Sequence, residues 1–422
     1  MLSIINAMRD YTRLFQSSLT GSNPFELKIS PHFEYSDLVT FAQNKKTPIY
    51  NWFYYKEGFS RDFVWDTLKE LKVEKGSVVL DPFCGTGTTL LAAKQAGYNS
   101  VGFDILPLGV FVSRVKLEDD YNLQELERES KRITHLKFEK PSTRLVDIRF
   151  LDMKRVMSQY ARDDICFFRE RIMEVDDEKT RNFLLLGLIS VVSQAANVMK
   201  DGGVLRVVKK RHLPPVRHLL RNKLKRMIKD LKKANVNENV SWKADVGDAR
   251  SLSLDDETVD IALTSPPYLN FVDYTKVYAL ELSLLVSSPK EIEGLRRRSL
   301  RSHVSAEYEM KEDSTLIEKN IPRIASTAGV KVPEIVNGYL MDLYLSLAET
   351  ARTLKKGGSI VYVLGNAALP DLTVDVDLIL AEMGGKLGLR VEDIWACNVR
   401  WAGVHGIGKE RPVRESAVIL KK

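Results

Sequence analysis

GSVVLDPFCGTGTTLLAAKQAGYNSVGFDI, residues 76 to 105, is the stretch that decides the fold. Val78, Val79 and Leu80 form a short apolar run, the pattern of a buried strand. A turn carrying Gly85 and Gly87 follows. Leu90 to Ala96 has helical composition and ends at Gly97, a usual helix stop. Ser100 to Phe103 is a second strand, closed by Asp104. Strand, glycine turn, helix and strand make one βαβ unit, which implies a parallel, doubly wound α/β sheet. Glycines at the turn let the backbone approach a ligand, and the following helix offers unpaired N–H groups. Asp104, at the end of the second strand, is placed to take ribose hydroxyls.

That turn is open to more than one ligand. The lysine of a phosphate-binding loop is missing, because Thr88-Thr89 stands in its place. The third glycine of the dinucleotide fingerprint is missing too, since Leu90 occupies that position. Asp81 beside the turn would repel a pyrophosphate but attract an ammonium group. An amino-acid nucleoside such as S-adenosylmethionine carries such a group.

Outward from this unit the strand pattern pauses and then resumes. Residues 121 to 235 are charged and mostly helical in pattern. Strand patterns return at Val240 to Trp242, Asp260 to Leu263, Ser359 to Leu364 after Lys356-Gly357-Gly358, and Ala417 to Leu420. The simplest organisation is a Rossmann-like sheet interrupted by a helical basic insertion. Its parts are an N-terminal extension (1–45), a first core part with the cofactor turn (46–120), the insertion (121–239) and a second core part (240–422). The last holds a smaller insertion at about 287–335.

The 422 residues are 44% hydrophobic and 28% charged, as expected of a globular protein with a sizeable core. The formal charge is +7, which suits a polyanionic partner. Cys84, Cys166 and Cys397 are scattered and form no metal or disulfide pattern. Together with an early charge in MLSIINAMRDYTRLF, this favours a reducing, cytoplasmic setting over a secreted one. FLLLGLISVV, 183 to 192, is too short to span a bilayer and reads as a buried helix. The histidines show no ligand spacing, so no metal is expected.

A second stretch carries the chemistry. Thr264-Ser265-Pro266-Pro267-Tyr268 follows the apolar run Val259 to Leu263. Two prolines fix φ, remove two donors and hold the chain extended. Such a corner leaves carbonyls free to accept hydrogen bonds from a ligand.

DPFCGTGTT followed by TSPPY resembles the amino-methyltransferases of nucleic acids. The resemblance implies methyl transfer from S-adenosylmethionine to N4 of cytosine or N6 of adenine. It covers roughly residues 45 to 115 and 240 to 285. NWFYYKEGFS, 51 to 60, resembles the segment that closes over the methionine end of the cofactor, which brings in Trp52 and Tyr55. GDA, 247 to 249, resembles a third cofactor contact, with Asp248 reaching the adenine amino group beside Ala249. By the same resemblance the cofactor site takes Asp81, Phe83, Gly85, Thr86, Gly87, Thr88, Asp104, Ile105 and Thr264. Ser265 in place of an acidic or amide residue leans to N4 of cytosine. The whole pattern is most similar to archaeal proteins labelled DNA methylases, for which N4-cytidine methylation of ribosomal RNA is the leading expectation. The same chemistry on DNA is the alternative, and an inactive nucleic-acid-binding protein is a minor one.

The chemistry suits these residues. An exocyclic amine is a poor nucleophile because its lone pair is delocalised into the ring. Ser265 Oγ and the Pro266 carbonyl can accept its two hydrogens, while Pro267 contributes no competing donor. Tyr268 offers a face on which an extruded base can stack. The chain has no Pro-Cys dipeptide, the mark of carbon-5 methyltransferases, so no covalent step is expected. Asn270, Asp273 and Tyr274 are candidates for the base pocket. In VLRVVKKRHLPPVRHLLRNKLKRMIKDLKK, 204 to 233, basic residues face a single acid, Asp230. Leu219, Leu220, Leu224, Ile228 and Leu231 keep helical spacing, so Arg221, Lys225 and Lys229 make a positive stripe for phosphates. Arg297, within Arg296-Arg297-Arg298, is a second candidate for the nucleic-acid backbone.

Overall fold

The computed structural model describes residues 24–201, 203–233, 240–270, 272–303, 306–307, 334–369, 373–404 and 409–422. Twelve strands are described: β1 Ile29–Pro31, β2 Val78–Asp81, β3 Asn99–Asp104, β4 Val198–Asp201, β5 Val204–Val207 and β6 Trp242–Val246. The rest are β7 Val259–Thr264, β8 Leu354–Gly365, β9 Ala367–Ala368, β10 Thr373–Val374, β11 Arg390–Val404 and β12 Lys409–Lys421. Eight of them form one sheet in the order β1-β11-β12-β8-β7-β2-β3-β6. Strands β6, β3, β2, β7 and β8 are parallel, and β12 runs antiparallel between β8 and β11. The chain moves outward from β2 through β3 to β6, then returns to β7 on the other side of β2. The order therefore reverses between β2 and β7. In doubly wound sheets the ligand crevice opens at such a point, beyond the carboxyl ends of the strands.

Local sequence explains the first unit. Val79 and Leu80 are fully buried and pair with Ile261 and Ala262 of β7. The helix Thr88–Gln95 starts at Gly87, whose φ of +77° suits glycine. Gly102 in β3 lets that helix pack closely. A Cβ there would lie 2.7 Å from Leu90 and 2.8 Å from Cys84.

Helices Leu123–His135, Gln159–Met173, Glu178–Ile189 and Val216–Leu231 fill the long excursion between β3 and β6. Asn122, Ser158 and Asp177 cap the first three through their side-chain oxygens. The run read as a buried helix at 183 to 192 lies largely within Glu178–Ile189, where Phe183 to Ile189 are all buried. Gly187 admits the helix Val216–Leu231, since a Cβ there would meet Leu224 at 2.5 Å. One apolar cluster runs from Leu91 and Val112 through Phe168, Leu184 and Leu224 to Leu280. The excursion thus shares a core with the sheet.

Several elements differ from the sequence reading. The strand expected at Val240 to Trp242 is β6, Trp242–Val246, because its partner Ser100 pairs with Trp242. β8 starts at Leu354 and runs through Lys356-Gly357-Gly358, with Gly357 at φ +78° absorbing the irregularity. The 15-residue β11 carries no clean alternation, because register shifts fall between Val391 and Asp393 and between Ala396 and Asn398. β4 and β5 form a small hairpin inside the helical excursion. Most of the smaller insertion, and residues 405–408, lie outside the described residues. No helix among the described residues is long and apolar enough to cross a membrane.

Candidate active site

At the reversal between β2 and β7 the two strand ends are bonded together. Thr264 Oγ1, from the last residue of β7, donates to Asp81 Oδ1 at 2.5 Å. Thr89 Oγ1, from the first turn of the next helix, donates to Asp81 Oδ2 at 2.5 Å, and the Phe83 N–H donates to Oδ1 at 3.1 Å. Burial pushes the Asp81 carboxyl up from 3.8 to about 6, although these three donors pull the other way. Asp104 ends β3 and accepts the N–H of Gly85 at 2.9 Å and of Leu106 at 2.8 Å. Burial raises it to about 6 as well, against those two bonds.

The glycine turn is braced from behind by the helix Pro107–Leu117. Ser113 Oγ donates to the Gly85 carbonyl at 3.0 Å, and Lys116 Nζ to the Thr86 carbonyl at 3.1 Å. Gly109 lies so close that a Cβ would reach the Gly85 oxygen at 2.6 Å. Burial lowers Lys116 to about 7. Tyr55 covers the turn from the front, where a Cβ on Gly85 would meet its ring at 3.2 Å. The ring stacks on Tyr278 at 4.9 Å and on Tyr274 at 6.4 Å.

A cleft of about 940 Å³, open to solvent, lies over these groups. Its walls bring together Tyr55, Asp81, Phe83, Gly85, Thr86, Thr88, Asp104, Ile105, Asp248 and Ala249 with Ser265, Pro267 and Tyr274. Residues far apart in sequence therefore share one space. Asp248 is held by Arg250, whose Nε and Nη2 approach its two oxygens at 2.9 and 2.7 Å.

Other expected residues lie elsewhere. Trp52 is fully buried and does not line the cleft. Its Nε1–H donates to Asp230 Oδ2 at 3.1 Å, and its ring meets Phe183 edge-on at 5.3 Å. Gly87 lies behind the wall, facing Ser113, and Thr264 is spent on Asp81. Pro266 is buried and does not line the cleft. Tyr268 is half-buried outside the cleft wall: its hydroxyl donates to Glu415 Oε1 at 2.9 Å and the Arg400 guanidinium lies 5.2 Å from its ring. Asp273 does not line the cleft. It caps the helix Tyr274–Val277 and binds Arg296 Nε at 2.6 Å. Asn270 and Arg297 are exposed. Arg221, Lys225 and Lys229 lie along Val216–Leu231, away from the cleft lining. Arg221 also donates to the Thr134 carbonyl at 3.2 Å, so part of that stripe caps a neighbouring helix.

Sequence reasoning gave no role to Glu57 or His303, which lie on the cleft wall together with Arg298 of the second basic cluster. Glu57 Oε2 accepts the Tyr278 hydroxyl at 2.6 Å. Its Oε1 is buried without a hydrogen-bond partner among the described residues, and Lys56 Nζ stands 3.9 Å away. Burial raises its carboxyl. Its place within NWFYYKEGFS, whose resemblance put that segment over the methionine end of the cofactor, was the hint. Cys84 is buried and burial raises its thiol, as suits a packing residue.

The cleft fits S-adenosylmethionine. The glycine turn offers backbone without side chains, Asp104 stands where ribose hydroxyls would come, and the Glu57 oxygen that lacks a hydrogen bond suits a cationic group. Comparison with known families agrees. A family described as D12 class N6 adenine-specific DNA methyltransferase matches residues 66–315, more than half of the chain. The chain belongs to this family. A second family, described as DNA methylase, matches residues 24–107. Type II methyltransferase M.BsoBI of Geobacillus stearothermophilus is 28% identical over 86% of this chain and 83% of its own. Type II methyltransferase M.AvaI of a Nostoc species is 25% identical over 85% of this chain and 82% of its own. A solved S-adenosylmethionine-dependent methyltransferase from Methanosarcina mazei covers 84% of this chain and 96% of its own at 10% identity with a TM-score of 0.30, too loose a likeness to carry an argument. The methyltransferase uses S-adenosylmethionine to methylate amino groups of nucleic acid.

Proposed function

We propose that the enzyme methylates an exocyclic amine of DNA, with N4 of cytosine as the acceptor. One observation carries this: the proline corner at Ser265 and Pro267 shares a cleft with the glycine turn and Asp104, and Thr264 joins the two halves. S-adenosylmethionine, when bound, supplies a methyl group already activated on a sulfonium. The residues of the chain do the rest. Ser265 Oγ and the Pro266 carbonyl accept the two amine hydrogens and so free the lone pair. Pro267 keeps a competing N–H away. The Tyr268 ring, fixed by Glu415 and Arg400, is a platform for the extruded base, worth about 1–3 kcal/mol. Positioning the amine in line with the departing sulfur supplies most of the acceleration, and the proton that the methylated nitrogen carries in excess is released to the water of the open cleft.

The choice of DNA rests on both family descriptions, which name DNA. The expectation of ribosomal RNA gives way to it. A second reading, N6 of adenine, is favoured by the adenine-specific description of the family that matches 66–315. The helical excursion, 121–239, serves nucleic-acid binding on this reading. Its exposed Lys225 and Lys229 add salt-dependent attraction for phosphates.

The test is to incubate the enzyme with methyl-labelled cofactor and either duplex DNA or ribosomal RNA, then digest to nucleosides. Label in N4-methyldeoxycytidine is expected. Label in N6-methyldeoxyadenosine selects the second reading, and label confined to RNA overturns the DNA assignment.

A further inference from the structure

The hairpin β4–β5 leaves the helical excursion and comes to rest against Val272, Tyr278 and Glu281, in the stretch that follows the proline corner. Its register pairs Val198 with Val207, Met199 with Arg206, Lys200 with Leu205 and Asp201 with Val204. Opposed residues share a face, and successive residues alternate. One face is anchored except at its end, where Val207 is 45% exposed. Lys200 Nζ binds Glu281 Oε1 at 2.8 Å and lies 3.8 Å from the centre of the Tyr278 ring, while Val198 is buried. Leu205 packs on the main core cluster. At the turn, Gly203 lies so close to Val272 that no Cβ would fit. Val272 belongs to the loop that leads away from Tyr268.

The other face points to solvent. Met199 is 47% exposed and Val204 54%. Between them Arg206 and Asp201 form an exposed ion pair at 2.9 Å. Lys209 and Arg211 follow directly and are exposed, while Lys210 is tied to the Ser193 carbonyl at 3.1 Å.

We propose that this outer face enters the major groove of duplex DNA beside the target base and reads sequence there. The inference rests on the DNA reading given above. A two-stranded ribbon fits the major groove of B-form DNA. The composition of the face separates base reading from phosphate binding. Phosphates call only for cations, and an acid beside them is repelled. Base edges call for a mixture: an arginine fork for guanine O6 and N7, a carboxylate for the cytosine amino group, apolar atoms for the thymine methyl. Arg206, Asp201, Met199 and Val204 supply that mixture. Lys209 and Arg211, just past the ribbon, have the phosphate-binding character that positions without specifying. The major groove of A-form RNA is too deep and narrow for such a face.

The experiment uses the full-length enzyme. Its preferred duplex is first found by methylating a random-sequence library. Binding and kcat/KM are then measured on that duplex and on duplexes with single base-pair changes near the target. Arg206→Ala is expected to lower affinity for the preferred duplex roughly 5- to 150-fold. Changed duplexes and cofactor affinity stay as they were, so selectivity collapses. Arg206→Lys, which keeps the charge but not the fork, is expected to lose selectivity too. Lys209→Ala with Arg211→Ala is expected to weaken all duplexes together and flatten the slope of log K against log salt by about 1.8. Unchanged selectivity in both Arg206 variants, or equal weakening on every duplex with a flatter salt slope, overturns the ribbon assignment alone. A wild-type enzyme that methylates no duplex DNA overturns the functional reading beneath it.

Discussion

Replacing Asp81 by asparagine is expected to stabilise the cofactor-free protein at neutral pH while weakening the cofactor site. Asp81 is 3% exposed, and burial lifts its carboxyl from 3.8 to about 6. Its folded value is raised, so between about pH 4 and 6 the folded chain holds more protons than the unfolded one. Stability contributed by this group therefore falls as pH rises through that window, and the loss is complete above it. The interval amounts to about 3 kcal/mol at ~1.36 kcal/mol per tenfold change. Asparagine has the same shape and no charge to desolvate. Its oxygen accepts from one threonine, and its amide donates to the other, whose hydroxyl can rotate. A gain of about 1–3 kcal/mol at about pH 7.5, fading to nothing near pH 4, is the expected result. Urea unfolding of both proteins without cofactor, at several pH values across this range, measures it. Asp104 carries a similar shift in both proteins and cancels. A stability difference that is constant with pH, or that shrinks as pH rises, would refute the reasoning.

Thr264→Val removes one donor from a buried carboxylate and is expected to cost about 1.5–3 kcal/mol at about pH 7.5, read by the same urea titration. The loss should lessen near pH 4, where Asp81 is protonated in both folded proteins. Ser265→Ala and Tyr268→Ala are each expected to lose methyl transfer with S-adenosylmethionine affinity kept, measured by single-turnover transfer alongside calorimetry. Normal turnover in either would remove that residue from the corner's chemistry. Gly109→Ala drives a Cβ into the Gly85 carbonyl and is expected to cost about 1–3 kcal/mol of cofactor affinity by displacing the glycine turn. Calorimetric titration with S-adenosylhomocysteine checks it.

The positions of the glycine turn and the proline corner were legible because each is a local device. Val78 to Leu80 is apolar throughout because a central parallel strand is buried on both faces, and Gly87 marks a backbone conformation that glycine favours. β11 was hidden because two register shifts break its alternation, and β4–β5 because a ribbon of two short strands resembles the loops around it. The place of Trp52 in the core was not legible, because an aromatic residue beside a functional segment serves a core as readily as a ligand and its partner Asp230 lies far along the chain. The capping role of Asp273 was hidden similarly: a helix cap and a base contact call for the same carboxylate.

Chain order alone determined that a parallel sheet would present Asp81, Asp104 and Thr264 at strand ends, because strand, turn and helix signals act over a few residues. Which of them meet was a matter of tertiary structure. The return of β7 to the far side of β2 brings Thr264 within 2.5 Å of Asp81, although 183 positions separate them in sequence. Glu57 is half-paired, the Tyr268 hydroxyl is tethered to Glu415 and the ribbon turn packs on Val272 for the same reason. Desolvation and hydrogen bonding depend on what surrounds a group in space, and packing of distant segments sets those surroundings.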